Sequence, residues 1–161
     1  MTISFILNGI DVVVTANAEQ RLISILRKDF HFPEAKCGCL MGICGACSVF
    51  LDGNLVKSCL IPAFKIRGSE IITFEGFSQT DEYQDILAGF TEAEVENCGF
   101  CDTGKILTVE ALLSANARPS REQILPAFEG IKCRCTEPES LVEGVLRVAD
   151  IRQRRLYGRG A

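Results

Sequence analysis

Eight of the nine cysteines in this 161-residue chain fall into two sets of four, and no other feature restricts its folding as tightly. Cys39, Cys44, Cys47 and Cys59 have the spacing C-x4-C-x2-C-x11-C, while Cys98 and Cys101 form C-x2-C and Cys133 and Cys135 form C-x-C. Thiols this densely grouped either cross-link or bind metal. The start, MTISFILNGIDVVV, lacks the basic region of a secretory signal. A cytoplasmic, reducing setting is therefore expected, where such cysteines bind metal more often than they form disulfides.

Composition narrows the function classes. The hydrophobic content of 47% allows a real core, and the length suits one ordinary domain or two very small ones stapled by metal. A net charge of -4 offers no basic field for phosphate backbones, so nucleic-acid binding is a poor reading. No apolar run approaches the roughly eighteen residues of a membrane span. The expected partners are proteins.

Along the chain, residues 2–7 and 10–15 are β-rich runs joined at Asn8-Gly9, a type I′ hairpin signature. Leu22, Ile25 and Leu26 recur at helical spacing, with Asn17 as the candidate cap. Residues 37–47, CGCLMGICGAC, are too glycine-rich for a helix or strand but suit a loop wrapped around a ligand. Short strands follow around Asp52-Gly53, and SEIITFEG reads as a further strand. From about Asp81 the pattern turns helical in four segments, with apolar stripes such as Ile106, Val109, Leu112 and Leu113. Ser120 and Gln123 have capping-box spacing. The boundary lies at residues 76–81.

The first cysteine set has the spacing of plant-type ferredoxins, in which four thiolates hold one 2Fe-2S cluster. Three ligands from one loop and a fourth from a neighbouring element would put that cluster at the loop's rim. The second set places Cys98 and Cys101 at the start of one helix and Cys133 and Cys135 just before another. Helix N-termini stabilise thiolate charge there. Structural zinc is the alternative for these cysteines, although it explains the one-loop C-x4-C-x2-C arrangement poorly. Cys37 lies outside both sets as a spare thiol, and His31, the only histidine, reads as a loop residue. The basic end, IRQRRLYGRG, reads as a solvated tail, with Leu156 and Tyr157 hinting at docking.

GCLMGICGACSVFLDG, SCLIPA, NCGFCDTGKI and KCRCT, in this order, resemble the motifs of the small iron-sulfur subunits of the xanthine dehydrogenase and aldehyde oxidase family of molybdenum hydroxylases. The likeness spans nearly the whole chain. It implies an α+β fold: a β-grasp ferredoxin-like domain over residues 1–76, then a four-helix-bundle 2Fe-2S domain with a basic tail over residues 77–161. It implies two clusters, one on Cys39, Cys44, Cys47 and Cys59, the other on Cys98, Cys101, Cys133 and Cys135. Partners would be a large molybdopterin-binding subunit, with an FAD-binding subunit beside it, and electrons would pass from molybdenum through both clusters to FAD. This chain would then perform no substrate chemistry itself. The competing reading is a free-standing two-cluster ferredoxin.

Three departures from the family motifs stand out. Asn97 replaces the usual Gln that contacts the pterin, CDTG replaces C-T-P-G, and CRCTEPES replaces C-R-C-T-G-Y. The last adds Glu137 and Glu139, whose charge is expected to lower the potential of a nearby cluster.

Overall fold

The computed structural model describes residues 1–158. It is a mixed α+β structure with six helices and a five-stranded sheet of order β2 (Ile10–Thr15), β1 (Thr2–Leu7), β5 (Glu70–Ile72), β3 (Ser48–Leu51), β4 (Asn54–Lys57). β1 (Thr2–Leu7) and β2 (Ile10–Thr15) form the antiparallel hairpin, in register from Thr2 opposite Thr15 to Leu7 opposite Ile10. Its turn has φ of 51° at Asn8 and 80° at Gly9, the pair of positive values that a type I′ turn demands. β3 (Ser48–Leu51) and β4 (Asn54–Lys57) form a second hairpin, and β5 (Glu70–Ile72) lies parallel to β1 and antiparallel to β3.

α1 (Leu22–Lys28) covers the sheet with Leu22, Ile23, Ile25 and Leu26, all buried. Each such side chain contributes about 1.5–3 kcal/mol on leaving water. Arg21, not Asn17, occupies its N-cap position, and no side chain caps the helix there. The expected strand SEIITFEG stops at Ile72, and Phe74–Phe77 forms the short helix α2 instead. Asn8 explains the break. Its side-chain oxygen accepts the Thr73 N–H at 2.8 Å and its amide donates to the Thr73 hydroxyl at 3.1 Å, taking Thr73 out of the ladder.

The other helices are α3 (Asp81–Glu92), α4 (Asp102–Ala115), α5 (Arg121–Ala127) and α6 (Pro138–Tyr157). Gln123 accepts the Ser120 N–H at 2.9 Å, closing the expected capping box of α5. One apolar cluster lies between the sheet and α1, and a second between α3, α4, α5 and α6. Phe50 of β3 belongs to the second, with Leu55 and Ile72 packed against it. The sheet thus contributes to both cores.

The basic end is not a solvated tail within the described residues. Residues 151–157 complete α6, while Arg159, Gly160 and Ala161 lie outside the described residues. Arg155 makes three hydrogen bonds to the Asp85 carboxylate, at 2.9 to 3.1 Å, and one to Glu82 at 3.0 Å. Arg152 pairs with Glu110 at 2.7 Å and Asp85 at 3.4 Å. The Asp85 and Arg152 side chains are only 5% and 9% exposed, so these charges lock α6 to α3 and α4 in a poorly hydrated setting. Removing one partner of such a set leaves the others unpaired. Asp85→Ala is expected to destabilise the fold by about 3–5 kcal/mol, read as a lower chemical-denaturation midpoint; a change below about 1 kcal/mol, the range of exposed pairs, would contradict this account.

Candidate metal centres

The loop between α1 and β3 folds its backbone around one sulfur. Cys39 Sγ accepts the N–H groups of Met41, Ile43 and Cys44 at 3.4, 3.3 and 3.4 Å. This nest, the amide of Met41 foremost, draws the Cys39 thiol down to about 6. Leu40, Gly42 and Gly45 take positive φ of 56°, 73° and 75°, which turns successive amides inward. Cys44 comes within hydrogen-bonding reach of Cys39, and Cys47 of Cys59, which follows β4 in a 3₁₀ turn. Cys47 and Cys59 are buried, and burial pushes the Cys47 thiol up to about 11.

The second set forms where two helices begin. Cys101 directly precedes α4, and Cys133 and Cys135 lie on the loop entering α6, with Pro138 in that helix's first turn. The Asp102 carboxylate accepts the Gly99 N–H at 2.5 Å and so closes the turn carrying Cys98. Cys98 lies within hydrogen-bonding reach of Cys135, and Cys101 of Cys133, while the Cys133 and Cys135 sulfurs are 3.5 Å apart. Burial pushes the Cys101 thiol up to about 12. Burial opposes ionisation of Cys133 too, but hydrogen bonds from the Thr136 hydroxyl and amide, the Cys135 amide and the Cys101 thiol together hold that thiol at about 6.

Both sets therefore combine an amide-stabilised sulfur at the front with a buried one behind. Among the described residues, no three His, Cys, Asp or Glu side chains converge as for a single metal ion. In the first set Cys39 approaches Cys44 and Cys47 approaches Cys59, and in the second the four sulfurs form one chain, Cys98 to Cys135 to Cys133 to Cys101. Four soft thiolates gathered in this way are the donor set that a binuclear iron-sulfur centre takes, two to each iron.

The two loops touch. The Cys44 carbonyl accepts the N–H of Lys132, the residue before Cys133, at 3.0 Å. A Cβ on Gly45 would meet the Gly130 carbonyl oxygen at 2.7 Å, and one on Gly104, in the first turn of α4, would meet the Gly45 oxygen at 2.5 Å. Only glycine permits this approach. The ring of Phe100 comes near Gly38 of the first loop, 3.2 Å from the Cβ position there.

Cys37 is exposed, as is His31, which takes φ of 57° in the loop after α1. Asn97 is exposed at the mouth of a cleft of about 220 Å³ that Glu34, Tyr83, Asp102 and Thr103 also line. Arg134 and Lys132 border a recess of about 370 Å³ over Cys98, Cys101 and Cys135. The charges expected from the sequence to act on this centre are weakened by their surroundings. Glu139 is held by Arg121 of α5, and Glu137 is exposed to screening solvent. Sequence reasoning missed Lys105, which lies within NCGFCDTGKI but was given no role there, and which is wholly buried beside Asp102.

Comparison with known proteins shows the family of the chain. Residues 73–146 match the 2Fe-2S binding domain family. The chain is 36% identical over 153 residues to a nicotinate dehydrogenase subunit of Pseudomonas putida, covering 95% of this chain and 98% of that one. It is 39% identical over 136 residues to the nicotinate dehydrogenase small FeS subunit of Eubacterium barkeri, covering 84% and 87%. The quinoline 2-oxidoreductase structure from Pseudomonas putida 86 superposes with a TM-score of 0.86 at 32% identity, covering 95% of this chain and 96% of that one. These relatives are subunits of oxidoreductases. The chain belongs to the small iron-sulfur subunits of the xanthine dehydrogenase and aldehyde oxidase family of molybdenum hydroxylases.

Proposed function

We propose that this chain is a two-cluster electron relay, the iron-sulfur subunit of a molybdenum hydroxylase. Cys39, Cys44, Cys47 and Cys59 hold one 2Fe-2S cluster, and Cys98, Cys101, Cys133 and Cys135 hold the other. Residues 1–76 act as a plant-type ferredoxin-like domain and residues 77–161 as a helical-bundle domain. Bound there, the clusters supply one-electron storage; the chain's own residues supply thiolates, amide donors and exclusion of water.

The observation that carries this reading is the Cys44–Lys132 hydrogen bond, with the glycine contacts beside it. Two independent metal staples need no shared backbone contact. A relay needs its centres near each other, because electron transfer weakens steeply with distance, and this contact joins the two cysteine loops. Each centre also has an outward face: the first beside exposed Leu40, Met41 and Ile43, the second beside half-exposed Phe100. Apolar residues exposed around a redox site suit a protein partner rather than a free-standing carrier. That partner is a large molybdopterin-binding subunit, toward which Asn97 offers a pterin contact, and the electrons pass on to an FAD-binding subunit. The chain works in the cytoplasm and binds neither nucleic acid nor membrane.

Purification from native cells under anaerobic conditions tests the reading. It predicts about four irons per copy of this chain, together with molybdenum and a large pterin-binding chain; zinc in a colourless protein would refute it. Cys59→Ser is expected to remove the first cluster's EPR signal and Cys133→Ser the second's, each sparing the other, while Cys37→Ser keeps both. Loss of a cluster in Cys37→Ser would overturn the ligand assignment. Gly104→Ala forces a methyl group against the Gly45 carbonyl and is expected to cost about 1–3 kcal/mol, measured by denaturation of the cluster-loaded protein; an unchanged midpoint would show that the loops do not depend on this contact.

A further inference from the structure

Lys105 is fully buried, one helical turn beyond Cys101, whose carbonyl accepts its backbone N–H at 3.0 Å. Burying an ammonium group is costly unless acceptors replace water. Here its Nζ donates to the Glu96 carbonyl at 2.8 Å and to the Thr136 hydroxyl at 2.8 Å, and pairs with Asp102 Oδ1 at 3.2 Å. Asp102 Oδ1 is itself buried with no hydrogen-bond partner, so the ion pair is its compensation. The Thr136 hydroxyl in turn donates to the Glu96 carbonyl at 2.6 Å. One cation thus joins three segments of the second centre: the stretch before Cys98, the start of α4, and the residue after Cys135.

Neighbouring charges compete to act on this centre, and hydration ranks them. Glu137 and Arg134 are exposed, and the Glu139 side chain is 79% exposed and paired with Arg121. Solvent and salt screen all three. The Lys105 side chain is 0% exposed and that of Asp102 is 17% exposed, so this pair interacts through protein rather than water.

We propose that Lys105 raises the reduction potential of the centre formed by Cys98, Cys101, Cys133 and Cys135, acting as a buried cation that offsets Asp102. The proposal rests on the reading that these thiolates hold a 2Fe-2S cluster. Accepting one electron makes such a cluster one unit more negative, with no proton or ligand exchanged; a fixed cation nearby favours the reduced form. An apolar residue at this position would leave the Asp102 carboxylate unopposed beside the cluster.

The test is an EPR-monitored potentiometric titration of the cluster-loaded protein, with dithionite as the electron donor. Two variants are compared with the parent chain, Lys105→Met and Lys105→Gln. Gln keeps amide donors for Glu96 and Thr136 but carries no charge. The proposal expects the second cluster's midpoint to move to a more negative potential in both variants, with the first cluster's midpoint unmoved. If Met unseats the second cluster, Gln decides. An unchanged midpoint in Lys105→Gln, equal shifts at both clusters, or loss of the second cluster in both variants would overturn the proposal and leave Lys105 a structural clamp. Absence of iron from the parent chain would instead refute the cluster assignment itself.

Discussion

The two cysteine loops meet backbone to backbone, and the other structural features serve that contact. The first loop cannot approach α4 unless Gly104 lacks a side chain, nor the loop before Cys133 unless Gly45 does, and the Cys44–Lys132 hydrogen bond fixes which residues face each other. The β3–β4 hairpin sets the far side of the first loop by delivering Cys59 behind Cys47. The Gly99–Asp102 bond, which closes the turn before α4, and the proline start of α6 shape the second set. The fold supports the sites from both ends, and neither could shift alone without breaking the shared bond.

Charge is distributed according to hydration. Far from the cysteines, Asp85 gathers Arg152 and Arg155 and ties α6 to α3, a structural use of buried ions. Near the second set a single buried pair, Asp102 with Lys105, lies between the cysteines and the apolar core. Both arrangements bury charge, but only the second adjoins a cysteine set. The exposed glutamates after Cys135 count for less than the sequence suggests, because water and Arg121 take up their field.

How much of this was legible follows from how local each signal is. The Asn8-Gly9 turn and the capping box at Ser120 are encoded within a few residues, and each stands where the sequence put it. Signals that depend on distant partners were hidden. Asn8 ends β5 through Thr73, 65 residues away, so the α2 turn looked like more strand. The arginines of α6 looked like a solvated tail because their acceptors lie on α3 and α4. Lys105 looked like an ordinary helix lysine, since one partner is a backbone carbonyl and another a threonine 31 residues further on. The closeness of the two cysteine sets was equally invisible, because glycines in separate motifs give no sign that they touch.

A relay requires two clusters close enough to pass an electron. EPR of the protein poised at successive potentials measures this directly through the magnetic coupling between the clusters. When one cluster is reduced its signal should be simple, and when both are reduced each signal should split or relax faster under the influence of the other spin. Two signals that stay unchanged whichever cluster is reduced would contradict a relay through the Cys44–Lys132 contact, and a single iron-sulfur signal would contradict the second centre altogether.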